Sequence, residues 1–140
     1  MQRSTRFVAF LLLALLALAA PALAKSKMDQ LQSNQYAWAG AIRWGEFESA
    51  WARVDPEYRE QHPLSELELE RYAQVQISSY RDLDQSVLPD GSPARLIEIG
   101  VINKHTQAER TIRDREEWRW DQEKKTWWVR QGLPDLWPGG

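Results

Sequence analysis

Residues 115–130 read REEWRWDQEKKTWWVR and hold four of the chain's eight tryptophans. This stretch limits the fold more than any other. If DQEKKT turns with Asp121 opposite Thr126, antiparallel pairing sets Trp120 against Trp127, Trp118 against Val129 and Glu117 against Arg130. Opposed residues on paired strands share a face. One face then carries Trp118, Trp120, Trp127 and Val129. The other carries Glu117, Arg119, Trp128 and Arg130. On that second face Glu117 and Arg130 form an ion pair, and Arg119 lies on Trp128 as a cation–π contact worth about 0.5–1 kcal/mol at an exposed site. A register shifted by one exchanges Trp127 and Trp128 between faces. In both registers Trp118 and Trp120 stay together, and Asp114 and Glu116 share their side unless a bulge intervenes.

A ribbon with three indoles on one face needs an apolar layer to cover it, and the earlier part of the chain supplies one. From Gln35 the spacing is helical: Trp38, Ala41, Ile42 and Gly45 fall at i, i+3, i+4 and i+7, with Gly45 placed to end the helix. EFESAWARV aligns Phe47, Ala50, Trp51 and Val54 on one face, and the Asp55–Pro56 step closes it. After the break at His62-Pro63-Leu64, Ser65 and Glu68 form a capping-box pattern, predicting a third short helix to about Tyr72. The period then changes. VQISSY (75–80) alternates as a strand, and LPDGSP (88–93) is turn chemistry. RLIEIGVIN (95–103) puts Ile97, Ile99 and Val101 on one side, with Gly100 marking a bulge or bend. A polar connection, 103–109, leads to strands over 111–120 and 126–131. Three helices followed by four strands predict an α+β fold, helices on one face of an antiparallel sheet.

The first 24 residues stand apart. MQRSTR is basic, residues 7–20 are apolar or small, and Ala22 and Ala24 sit at the small-residue positions of a cleavage site. This is the pattern of a secretory signal peptide. The alternative is an uncleaved anchor, since residues 7–24 approach the roughly 20 residues of a membrane span. Pro21 and the A-L-A site favour cleavage after Ala24, and hence an exported protein, periplasmic or secreted, with no stable membrane anchor. The expected organisation is a signal peptide at 1–24, a polar lead-in at 25–33, the α+β domain at 34–133 and a tail at 134–140. The chain has no cysteine, so no disulfide staples the domain and no lipid acceptor follows the signal. Its net charge of −2 becomes more acidic once the two arginines of the signal are removed, which disfavours nucleic acid as a partner.

The pattern resembles the NTF2-like (SnoaL-like) superfamily over roughly residues 33–132. In that family N-terminal helices close a cone walled by a curved antiparallel sheet, and the last two strands often form a tryptophan-bearing hairpin like EEWRWDQEKKTWWV. AIRWGEFESAW (41–51), HPLSELELERY (62–72) and VINKHTQAERT (101–111) further resemble exported proteobacterial proteins. The resemblance implies a cone that is either open to a ligand or filled, and a sheet face used for dimerisation. It transfers no catalytic motif, because the superfamily shares none and fold alone does not imply function.

Candidate site residues follow from faces and chemistry. Asp114 and Glu116, on the side of Trp118 and Trp120, are the candidate catalytic pair: a carboxyl in an aromatic cavity has its charged form disfavoured and can serve as general base or acid. The competing placement turns both acids into solvent. Trp118, Trp120 and Trp44 are candidate ligand-lining residues, Trp44 because it falls off the Trp38–Ile42 stripe; packed core is the competing reading. Arg119 and Trp128 are the candidate protein interface. His62 and His105 lack partners at metal-ligand spacing, so no metal is expected, and no cofactor motif is present. The charge run ERTIRDREE (109–117) mixes signs as a solvated strand face does. The expected function is binding, of a small apolar ligand in the cone or of a protein, including a second copy, on the sheet face. The alternatives are a cofactor-free isomerase- or dehydratase-like enzyme, and a structural or assembly factor with a filled core.

Overall fold

The computed structural model describes residues 27–139; the expected signal peptide at 1–24 lies outside them. The chain divides at Asn34 into two compact units. In the first, residues 27–34 are helical, and Asn34 Nδ2 donates to the Gln30 carbonyl at 2.9 Å. All eight described residues before the Gln35 start read from periodicity are therefore already helical, where a polar lead-in was expected. The fold described below is that of residues 35–139.

Four helices precede the sheet, one more than expected. The first, α1, covers residues 35–43 and buries Trp38, Ala41 and Ile42, the predicted stripe. It ends at Gly45 with φ +73°. There Glu46 N donates to Ala41 O at 2.8 Å and Gly45 N to Ile42 O at 3.1 Å, the paired bonds of a Schellman ending. Helix α2, Phe47–Trp51, buries Phe47 and Ala50, and Val54 follows, fully buried. The Asp55–Pro56 step does end that run, but it also opens α3, Pro56–Gln61, with the Asp55 side chain accepting from Glu57 N and proline in the first turn. Proline suits a first-turn position because its missing N–H would have no helical partner there. Helix α4, Glu66–Tyr72, carries the predicted capping box between Ser65 and Glu68.

Strands β1 (Val75–Val87), β2 (Pro93–Asn103), β3 (Glu109–Asp121) and β4 (Thr126–Val129) form one open, curved antiparallel sheet in sequential order. Its inner face is built around Ile97, Ile99 and Val101 of β2, all without solvent exposure. β1 runs seven residues beyond the expected end and is irregular twice, between Ile77 and Ser79 and between Asp82 and Asp84. Gly100 pairs with Ser79 at the first irregularity. A Cβ on Gly100 would stand 2.2 Å from Ser78 Oγ, so the glycine permits the close approach that the bulge requires.

The two sheet edges are managed differently. Val54 bridges to Val129 in parallel, with Asp55 N donating to Val129 O and Val129 N to Arg53 O; this covers β4. Among the described residues no further strand or bridge pairs with β1, and its outer half bears exposed Arg81, Asp82 and Asp84 beside the second irregularity. Charges and bulges of this kind discourage strand addition at an open edge.

The C-terminal residues, set apart as a tail in the sequence reading, enter the core. Leu136 has no exposed surface. Its carbonyl accepts from the Arg110 guanidinium, Nε at 3.1 Å. Tyr72 Oη donates to Pro134 O at 2.8 Å, and Trp137 packs edge-on against Tyr72 with Arg71 over its ring.

Candidate functional site

The hairpin has the register proposed from sequence: Trp118↔Val129, Arg119↔Trp128, Trp120↔Trp127 and Asp121↔Thr126. Trp118, Trp127 and Val129 are buried, and Trp120 is half-buried with its ring 5.2 Å from that of Trp127. The turn is held by Asp121, whose carboxylate accepts from the backbone N–H groups of Glu123 and Lys124 and from Trp128 Nε1, each at 3.0 Å. The outer face differs from the expectation in its partners. Arg119 does not lie on Trp128; its Nε donates to Asp55 at 2.6 Å, and the cation over the Trp128 ring is Lys124. Arg130 reaches Asp90 rather than Glu117, and Glu117 is met by Arg115 at 3.5 Å. Sequence opposition predicted the ladder but not these longer reaches, because Asp55 and Asp90 arrive from distant parts of the chain.

Of the two placements open to Asp114 and Glu116, the structure has both on the inner face, but in unlike surroundings. Glu116 is buried and every contact to it is a donor. Arg95 gives three bonds of 2.7–2.9 Å. Trp118 Nε1 gives one of 2.6 Å to Oε1, and Tyr80 Oη one of 2.5 Å to Oε2. Tyr80 Oη in turn accepts from Trp38 Nε1 at 3.0 Å, and Trp38 meets Trp118 edge-to-face. Burial pushes the Glu116 carboxyl up, while Arg95, Tyr80 and Trp118 pull it back. With donors at both oxygens, the anion is the form this cage serves. Glu116 is thereby consumed as an internal ion-pair partner of Arg95, whose side chain also lies 3.7 Å from Asp82.

Asp114 is half-buried, and its pKa is pushed up to about 6, chiefly by burial; the Arg115 backbone N–H pulls it down, and Glu116 and Asp135 raise it further. A carboxyl that changes charge near pH 6 can accept or release a proton. Tyr72, which faces Asp114 and Asp135, is raised as well, first by burial.

The tryptophans proposed to line a ligand cavity separate. Trp118 has no exposed surface and its indole N–H is taken by Glu116. Trp120 donates to Gln122 at the hairpin tip. Trp44 is 76% exposed, with Arg43 beside its ring. Immediately after it, at the α1–α2 corner, opens a groove of about 630 Å³ between α2 and α4. Phe47, Leu69 and Ala73 supply its apolar lining, and Glu46, Glu48 and Glu70 its acidic one. Clefts of ~300–1,000 Å³ with an apolar lining and a few placed polar groups are the usual form of binding sites.

The groove was not foreseen from sequence, although a signal existed. In SELELERY, Leu67 and Leu69 are two apart, and residues two apart on a helix do not face the same way. They cannot both face the core: Leu67 is 76% exposed and Leu69 lines the groove. Arg95 was also missed. It shares strand parity with Ile97, Ile99 and Val101, and a charge on that apolar row required a buried partner.

Among the described residues, no group of three or more His, Asp or Glu is placed to hold a metal ion, and no helix is long and apolar enough to cross a membrane. No protein-family model, curated protein or solved structure matches this chain.

Proposed function

We propose that this is an exported interaction protein of NTF2-like form, and that its partner docks in the groove between α2 and α4. One observation carries the reading: the groove has an apolar floor of Phe47, Leu69 and Ala73, and the residue preceding its first lining position, Trp44, is a tryptophan 76% exposed. Large exposed aromatics next to an apolar concavity are typical anchors of protein recognition. The inner face of the sheet offers less, since Trp118 is closed off by Trp38 and Glu116 has every oxygen engaged. The signal-peptide pattern at 1–24 supports export, and the order of helices followed by a curved antiparallel sheet supports the NTF2-like assignment.

A photo-crosslinking residue introduced at Ser49, on the groove wall, tests this in the producing cell. Adducts should form there and disappear in an Ala73→Gln variant that fills the groove. Adducts at Trp128 but not at Ser49 would move the interface to the hairpin.

A further inference from the structure

The groove's charge is more specific than its shape. The geometry points to a lysine- or arginine-bearing apolar peptide segment of a partner protein as its occupant, an inference that rests on the docking role just proposed. Three carboxylates, Glu46, Glu48 and Glu70, surround the apolar floor. The seven ion pairs among the described residues include none of them. The nearby cations are engaged elsewhere: Arg43 donates to Ile77 O, and Arg71 lies over Trp137. At the groove's far end Lys104 Nζ donates to Ala73 O at 2.9 Å, so an ammonium already sits at the C-terminal end of α4, where the helix carbonyls favour positive charge.

An occupant that buried apolar surface on Phe47 and Leu69 while bringing acids would set like charges together at three points, which disfavours such partners. A neutral apolar segment would leave the three carboxylates partly desolvated without counter-charge. A segment alternating apolar residues with Lys or Arg satisfies both requirements, its aliphatic stems lying along the wall and its charged heads reaching the rim.

The test uses the purified protein and two capped octapeptides, one of alternating leucine and lysine and its counterpart with glutamate for lysine, by titration calorimetry. The lysine peptide should bind at least about tenfold more tightly than the glutamate peptide, and raising salt toward 1 M, where the screening length is about 3 Å, should erase most of the difference. The combined E46Q, E48Q and E70Q variant should lose about tenfold for the lysine peptide, an amount that three exposed ion pairs can supply. All three sites are exposed, so the fold should survive, and an unchanged circular dichroism melt would confirm it. Ala73→Gln should weaken the lysine peptide at least as much.

If Ala73→Gln abolishes binding while the glutamate peptide or the triple glutamine variant binds as well as the reference, the groove remains a docking site and the cationic occupant is wrong. Failure of both peptides to bind likewise overturns the cationic occupant, and the Ser49 crosslink then judges the docking role alone. Binding indifferent to Ala73→Gln removes the groove, and with it both readings. Self-association through the groove that the lysine peptide does not displace would assign it to a second copy of this chain and overturn the inference.

Discussion

The Trp118 indole donates to the carboxylate of Glu116, two residues back on the same face of β3, at 2.6 Å. Neighbours on one strand face thus serve each other: the ring excludes water from the carboxylate, and its N–H supplies one of the bonds that exclusion would otherwise deny. Arg95, opposite Glu116 on β2, completes the neutralisation. Four elements are tied at this point, because Tyr80 comes from β1 and Trp38, bonded to Tyr80, from α1.

Removing the carboxylate should therefore be costly. Glu116→Ala leaves Arg95 as a buried unpaired cation and strands the Trp118 and Tyr80 donors, and breaking a buried pair in this way costs about 3–5 kcal/mol. Urea unfolding followed by tryptophan fluorescence measures it. A loss below about 1 kcal/mol would indicate an exposed pair instead of a buried one.

Asp114 should act in the opposite sense. Its pKa rises from 3.8 to about 6 in the folded state, so folding favours the protonated form. Below about pH 4 both states are protonated and the group is silent. Between there and pH 6 stability falls as pH rises, and above pH 6 the folded protein bears the full cost of the charge. Asp114→Asn should consequently stabilise the protein by about 1–3 kcal/mol at pH 7.5 and leave it unchanged near pH 3.5. A gain equal at both pH values would trace to packing and remove the charge explanation.

Asp55 has two tasks that substitution can separate. It caps α3 through Glu57 N and pairs with Arg119 on the hairpin. Asparagine can still cap but cannot pair, so Asp55→Asn should cost less than about 1 kcal/mol, and Asp55→Ala about 1–2 kcal/mol. Thermal melts of the two variants, alone and with Arg119→Ala, should show coupling to Arg119 that is lost in both. Equal costs for the two would mean that the cap contributes nothing.

The C-terminal residues should prove part of the domain. Leu136→Ala removes a side chain with no exposed surface and should cost about 2–5 kcal/mol, as cavity-forming substitutions do. Deletion from Pro134 onward should cost at least as much, and a deletion variant as stable as the full chain would make the segment an appendage.

Much of this fold is local in origin and was readable as such. The stripe of Trp38, Ala41 and Ile42, the Ser65–Glu68 capping box and the alternation through Ile97, Ile99 and Val101 each depend on residues within one or two turns or a single strand. The hairpin register was narrowed but not fixed locally: loop length constrains it weakly, two pairings remained open, and the structure has the one that buries Trp127. Asp55–Pro56 was read only as an ending because the same dipeptide also begins helices, and the choice depends on whether the next segment finds a surface to pack on.

From sequence alone came the order of the strands, three of the four helices and the sharing of one face by Trp118 and Trp120, all set by short-range periodicity and turn chemistry; whether Asp114 and Glu116 turn inward, and which of Trp127 and Trp128 does, was left open. Tertiary structure decided what those inward residues meet. It delivered Arg95 and Tyr80 to Glu116 but left Asp114 beside Asp135, drew Leu136 into the core, sent Arg119 to Asp55, and opened the groove between α2 and α4. Each of these joins residues far apart in the chain, and such pairings follow from how the layers pack, which no local pattern encodes.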